Sequence, residues 1–110
     1  ADIVYMALHG ADGENGKVQA AFDLLGIRYT GSGCVGSAVA MDKGLSKKIF
    51  LEAGIPTPKG FSVRKGQSGD LPEDMAYPIV VKPCCGGSSV GVSMVQSAEE
   101  YEAALQTAFR

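Results

Sequence analysis

The stretch VVKPCCGGSSVGVSMV, residues 80–95, sets an apolar run, a lysine, a loop of Gly, Ser and Cys, and a second apolar run in direct succession. Short β-branched runs bounded by Gly and Pro read as strands, so PIVVK and VGVSMVQ predict two strands joined by a Gly-Ser loop. Gly86, Gly87 and Gly91 allow positive φ and close approach to a ligand, Ser88 and Ser89 add hydroxyl donors, and Lys82 offers a point charge at the strand end. Because the loop joins two strands and opens no helix, it departs from P-loop and dinucleotide-fold logic and reads as a flexible lid over a triphosphate. A glycine-rich hairpin without a ligand fits the same spacing.

Beyond this stretch, SAEEYEAALQTAFR predicts a closing helix, with Ser97 and Glu100 as a capping box and Tyr101, Ala104, Leu105 and Ala108 on one face. Upstream, KGQSGDLPEDMAY (65–77) reads as a surface loop and GFSVR (60–64) as a strand. SAVAMDKGLSKKIFLEAG (37–54) is helical in composition, although Gly44 costs about 1 kcal/mol against Ala in a helix interior. Asp42 is placed to cap a fresh helix there, with Lys43 in its first turn beside free N–H groups, and Pro56 and Pro58 end the helical stretch.

At the start, DIVYMAL (2–8) predicts a buried strand and HGADGENG (9–16) a loop. Val18, Ala21, Phe22 and Leu25 mark a helix over 16–25 that Gly26 stops, and IRYTG (27–31) is a second strand. Strand, helix, strand in so few residues predicts a parallel α/β unit. After Pro56 the strands come in hairpin-like pairs, so a domain boundary is expected around 42–56.

The 110 residues suit one modest domain, and 45% hydrophobic with 20% charged residues excludes a disordered or fibrous class. A net charge of −2 offers no general attraction to nucleic acid or anionic membranes, so any anion site must be local. No apolar run reaches the roughly 20 residues of a membrane span, and the first residues lack a signal-peptide pattern, which makes the cytoplasm the expected compartment. Cys34, Cys84 and Cys85 give neither a disulfide framework nor metal-ligand spacing and are expected to be reduced.

GSGCVG, Gly31 to Gly36, satisfies G-x-G-x-x-G, but a dinucleotide fingerprint also needs an acidic strand end about 20 residues on, where Glu52 lies in a helical pattern. A Rossmann dinucleotide-binding module is therefore the alternative reading. A Walker A loop fails because Ser37 stands where Lys is required. His9, the single histidine, sits at a strand end, where a polar substrate contact and a structural bond to the loop backbone are both open. Glu14 and Asn15 in the same loop suit a ligand or, by default, the cap of the next helix. Lys43 is a second candidate cation, though a helix lysine is usually solvated surface.

ALHGADGENGKVQAAFDLLGIRYTGSG, SAVAMDKGLSKKIFLEAGIPTP and YPIVVKPCCGGSSVGVSMV resemble, in this order, successive segments of the D-alanine–D-alanine ligases of the ATP-grasp superfamily. The likeness runs over about residues 2–110. It implies the end of a Rossmann-like parallel α/β N-terminal domain (1–42) followed by the first part of an ATP-grasp α+β domain (43–110). It also implies ATP-dependent ligation: ATP phosphorylates one D-alanine carboxylate, and the amine of a second attacks the acyl phosphate to make a peptidoglycan precursor. By motif, Lys43 and Lys82 would bind ATP phosphates and Ser88 would help orient the first D-alanine. Gly87, Ser89, Val90 and Gly91 would complete the lid, and His9 would lie near the substrate carboxylate. Phosphorylating a carboxylate brings anions together, and it needs cations and oriented N–H donors more than a protein nucleophile.

This chain has Cys85 and Gly86 where the family usually carries a charged pair, while Ser-Ser-Val-Gly is intact. Counterparts of the family's adenine hinge and its magnesium ligands are not found, so Mg2+ ligands are expected outside the segment and the second substrate, D-alanine, D-lactate or D-serine, stays open. The complete enzyme is expected to be a homodimer without nucleic-acid or membrane partners. A protein of these 110 residues alone is expected not to ligate; D-alanine-dependent ADP release from it would refute that expectation.

Overall fold

The computed structural model describes residues 2–67 and 69–110, and the reading of 65–77 as a surface loop falls in part on Ser68, which lies outside the described residues. Two units follow from how the chain packs: one comprises the residues up to Pro56 with Cys85–Gly87, the other Thr57–Cys84 with Ser88–Arg110.

In the first unit the predicted parallel pairing is present but short. Val4 pairs with Tyr29 in parallel, with Val4 N–H donating to Arg28 O at 2.8 Å and Thr30 N–H to Val4 O at 3.0 Å. The expected strand over 2–8 is otherwise not laddered. At Met6 the next N–H is taken by the Thr30 hydroxyl, 3.0 Å away, instead of a carbonyl, so a side chain replaces the ladder after one bridge. The loop 9–16 contains a turn of helix not foreseen, α1 (Ala11–Glu14), before α2 (Lys17–Leu24). Asn15 Oδ1 accepts from Lys17 N–H at 3.1 Å, a local turn bond, while the N-cap position of α2 is Gly16 and carries no side-chain cap, so neither Glu14 nor Asn15 is the cap expected.

α2 ends as predicted at Gly26, with φ 64°. Gly26 N–H donates to Asp23 O and Ile27 N–H to Phe22 O, the paired bonds of a Schellman motif. The same device closes the fourth helix at Gly54, φ 67°, with bonds to Leu51 O and Phe50 O. Between them the helical stretch breaks at Asp42 into α3 (Cys34–Met41) and α4 (Lys43–Glu52), and Asp42 Oδ1 accepts from Leu45 N–H at 2.9 Å. That is the cap anticipated from the sequence. α2 meets α3 through Gly16, where a Cβ would stand 2.4 Å from the Cys34 carbonyl oxygen. Only a residue without a side chain permits that approach.

The second unit is a two-stranded antiparallel sheet, β1 (Ile79–Val81) with β2 (Ser93–Val95), covered by α5 (Ala98–Ala108). The register sets Val80 opposite Met94, and both face solvent. The pleat turns Val81 and Val95 to the other face, against Ala104 and Leu105 of α5. Tyr101 packs edge-on to Tyr77, ring centroids 6.5 Å apart, and burial followed by the nearby Tyr77 pushes its phenol above the ordinary value.

Two expectations fail here. GFSVR, 60–64, forms no strand: β1 pairs with β2 alone among the described residues, and only Val63 of the five packs on the core. The capping box is also displaced. Glu100 reaches back one residue further than Ser97, to Gln96 N–H at 2.8 Å, while the Ser97 hydroxyl turns to Glu99.

Val95 is 1% exposed and is the largest fully buried side chain. Val95→Ala should lower unfolding free energy by about 2 kcal/mol, whereas Met94→Ala, one residue away on the solvent face, should change it by less than about 0.5 kcal/mol. Urea unfolding followed by circular dichroism distinguishes the two.

Candidate functional site

The Gly-Ser loop leaves β1 at Lys82, whose side chain is exposed, and returns at β2. Its serines are the positive-φ non-glycine residues among the described residues. Ser88 and Ser89 have φ 55° and 59°, the left-handed region, which costs an L residue about 1–2 kcal/mol each. Val92 N–H then donates to Ser89 O at 3.2 Å, closing a turn with Gly91 at its third position and φ 73°, as a type II turn requires. A Cβ on Gly91 would stand 2.8 Å from Pro83 Cγ. Gly86, Gly87, Ser88, Ser89 and Val90 are all exposed, so the strained segment faces solvent. Residues held in this region recur at ligand clamps and switch segments.

Within the first unit, Lys43 is the first residue of α4 and its Nζ donates to the Gly86 carbonyl oxygen at 2.7 Å. A cation at a helix N-terminus opposes the macrodipole, an arrangement that an anion placed there would favour. His9 is exposed just before Gly10, whose φ is 82°, and makes no hydrogen bond to the loop backbone among the described residues. The loop around it is tied instead by Glu14, whose Oε2 accepts from Gly10 N–H at 3.0 Å. His9, Lys43 and Gly87 thus belong to the first unit, and Lys82, Ser88, Ser89, Val90 and Gly91 to the second.

The sequence reading passed over Gln19. It is 6% exposed, its Nε2 donates to Gly13 O at 2.9 Å, and its Oε1 is buried without a partner. It borders a shallow cleft of about 280 Å³ beside Met6, Leu8, Glu14 and Thr30. The available signal was a polar residue three positions from Phe22 on the apolar stripe of α2. In the strand beyond, burial and the hydrogen bond to Asp23 push the Tyr29 phenol above its ordinary value. The dinucleotide alternative loses its acidic partner, because Glu52 is the last residue of α4 and not a strand end.

Residues 49–110 match the family described as D-ala D-ala ligase C-terminus, and residues 1–32 match D-ala D-ala ligase N-terminus. The chain belongs to the D-alanine–D-alanine ligase family. It is 50% identical to the D-alanine–D-alanine ligase of Lacticaseibacillus casei over the whole chain, which is 31% of that relative. The D-alanine–D-alanine ligase of Bacillus anthracis complexed with ATP superposes with TM-score 0.84 at 40% identity, over 98% of this chain and 36% of that one. The VanG D-Ala:D-Ser ligase of Enterococcus faecalis superposes with TM-score 0.88 at 34% identity, over 98% of this chain and 33% of that one. The chain therefore spans about a third of the length of these D-alanine–D-alanine ligase relatives.

Replacing Ser88 with Gly in this ligase segment should raise stability by about 1 kcal/mol by removing the left-handed penalty, and Gly91→Ala should lower it by at least as much. Thermal unfolding of the two variants, read against the parent, checks the signs.

Proposed function

We propose that this chain supplies part of the ATP and D-alanine sites of an enzyme that joins two D-alanines. The observation that carries the reading is the exposed left-handed pair Ser88–Ser89 between two strands, with Lys82 at the strand end beside it. Such a loop presents hydroxyl and N–H donors to an anion without a helix behind it. In this reading Lys82 and Lys43 bind ATP phosphates, Gly87, Ser89, Val90 and Gly91 form the lid, and Ser88 orients the first D-alanine. His9 lies near that substrate's carboxylate. The residues before the ATP-grasp part, 1–42, belong to the N-terminal domain and 43–110 to the ATP-grasp domain.

Chemically, the γ-phosphoryl of ATP moves to the D-alanine carboxylate, releasing ADP, and the amine of the second D-alanine displaces phosphate from the acyl phosphate. Cations and oriented donors stabilise the charge that gathers on the transferring group, and no protein nucleophile is required. Mg2+ would screen the phosphate charge, with its protein ligands outside this chain. The complete ligase is cytoplasmic and homodimeric in this reading. No described helix is long and apolar enough to cross a membrane.

Exposed Tyr5, Leu24 and Val35, at 80%, 89% and 76%, are large apolar surfaces on which further elements of a complete ligase would pack. A second reading, a D-alanine–D-serine ligase, is favoured by the likeness to the Enterococcus faecalis enzyme. ADP release by the complete ligase with D-alanine, D-lactate and D-serine as acceptors separates the two. Lys82→Ala should raise KM for ATP about tenfold, equivalent to about 1.4 kcal/mol, with KM for D-alanine within about threefold. An unchanged KM for ATP would remove Lys82 from the phosphate site.

A further inference from the structure

We propose that Gln19 is a positioning residue for D-alanine binding that acts through the His9 loop; the proposal rests on the ligase reading above. Residues 9–16 carry His9 away from the first extended segment and back to α2, and besides the Asn15 N–H bond to Ala11 O within α1 and the exposed Lys17–Asp12 ion pair, three bonds tie them. Two of them join Glu14 and Gly10: Gly10 N–H to Glu14 Oε2 and Glu14 N–H to Gly10 O, each 3.0 Å. The carboxylate bond is exposed, so water competes for both of its partners. The third, from Gln19 Nε2 to Gly13 O, is buried and has no such competitor.

Gly13 is the link from this amide to His9. It is buried, and a Cβ there would stand 2.5 Å from Leu8 Cβ, so its backbone lies directly on the residue preceding His9. Gln19 pulls on Gly13 from α2 and Leu8 supports it from below, which fixes the height at which the chain emerges at His9.

The orientation of the amide is set by the same bond, because the reversed amide would point Oε1 at the Gly13 carbonyl, acceptor against acceptor. The cost of this orientation is visible on the other side, where Oε1 is buried with no donor. The amide reaches the Gly13 carbonyl as a donor, which a methionine of similar size could not do.

Steady-state kinetics of the complete ligase tests this. Gln19→Met should raise KM for D-alanine about tenfold or more while KM for ATP stays within about twofold, since a misplaced loop harms one substrate and not the other. In a His9→Ala background the same substitution should add less than about twofold, because its effect passes through His9. An equal rise in both KM values, or full additivity with His9→Ala, overturns the proposal. Gln19→Leu also removes the donor at similar size, and it carries the same measurement should the methionine variant fail to fold. Wild-type affinity for D-alanine in Gln19→Leu likewise overturns it. Absence of D-alanine-dependent ADP release from the parent ligase would instead overturn the ligase reading, so the two failures are told apart.

Discussion

One pair of main-chain bonds in the first unit, Val4 to Arg28 and Thr30 to Val4, holds two extended segments parallel and sets the path of the chain between them. Parallel pairing cannot be closed by a tight turn, so the chain between must leave the bridge and return, and here it returns through α1 and α2. That excursion is what brings His9, Glu14 and Gln19 into one neighbourhood. Met6 continues the association by borrowing the Thr30 hydroxyl, a side-chain bond in place of a main-chain one.

The second unit depends on burial and not on connectivity. β1 and β2 are three residues each, too short to stand in water as an isolated hairpin. α5 covers the Val81 and Val95 face, and among the described residues the core is small, four buried apolar residues with a partly buried rim.

Helices are readable from residue order where apolar spacing and a terminal glycine agree, as at Gly26, because both signals are local; α4 instead closes at Gly54, ahead of Pro56 and Pro58, where its end is expected. Asp42 was readable for the same reason: a cap acts on the next turn of its own chain. Strands were not equally open. Residues 2–8 and 60–64 have strand composition, yet a ladder needs a partner at the right place, and composition does not say whether one arrives. The Gly-Ser loop is conspicuous because its residue types are rare together, whereas Gln19 offers only its place on the apolar stripe of α2, and its partner lies six residues back in α1. The family resemblance added residue roles that no spacing contains, and it did so for the loop and for His9 but not for Gln19.

The contact at Gly16 has a consequence for how such a protein can change over time. The distance between α2 and α3 is set there by main-chain atoms meeting main-chain atoms. Drift in the side chains of either helix alters volume around the crossing but leaves this distance where it is. Side chains elsewhere on the two helices can therefore change between lineages without moving this crossing, while Gly16 has an alphabet of a single letter and Gln19 keeps its own tie to the His9 loop.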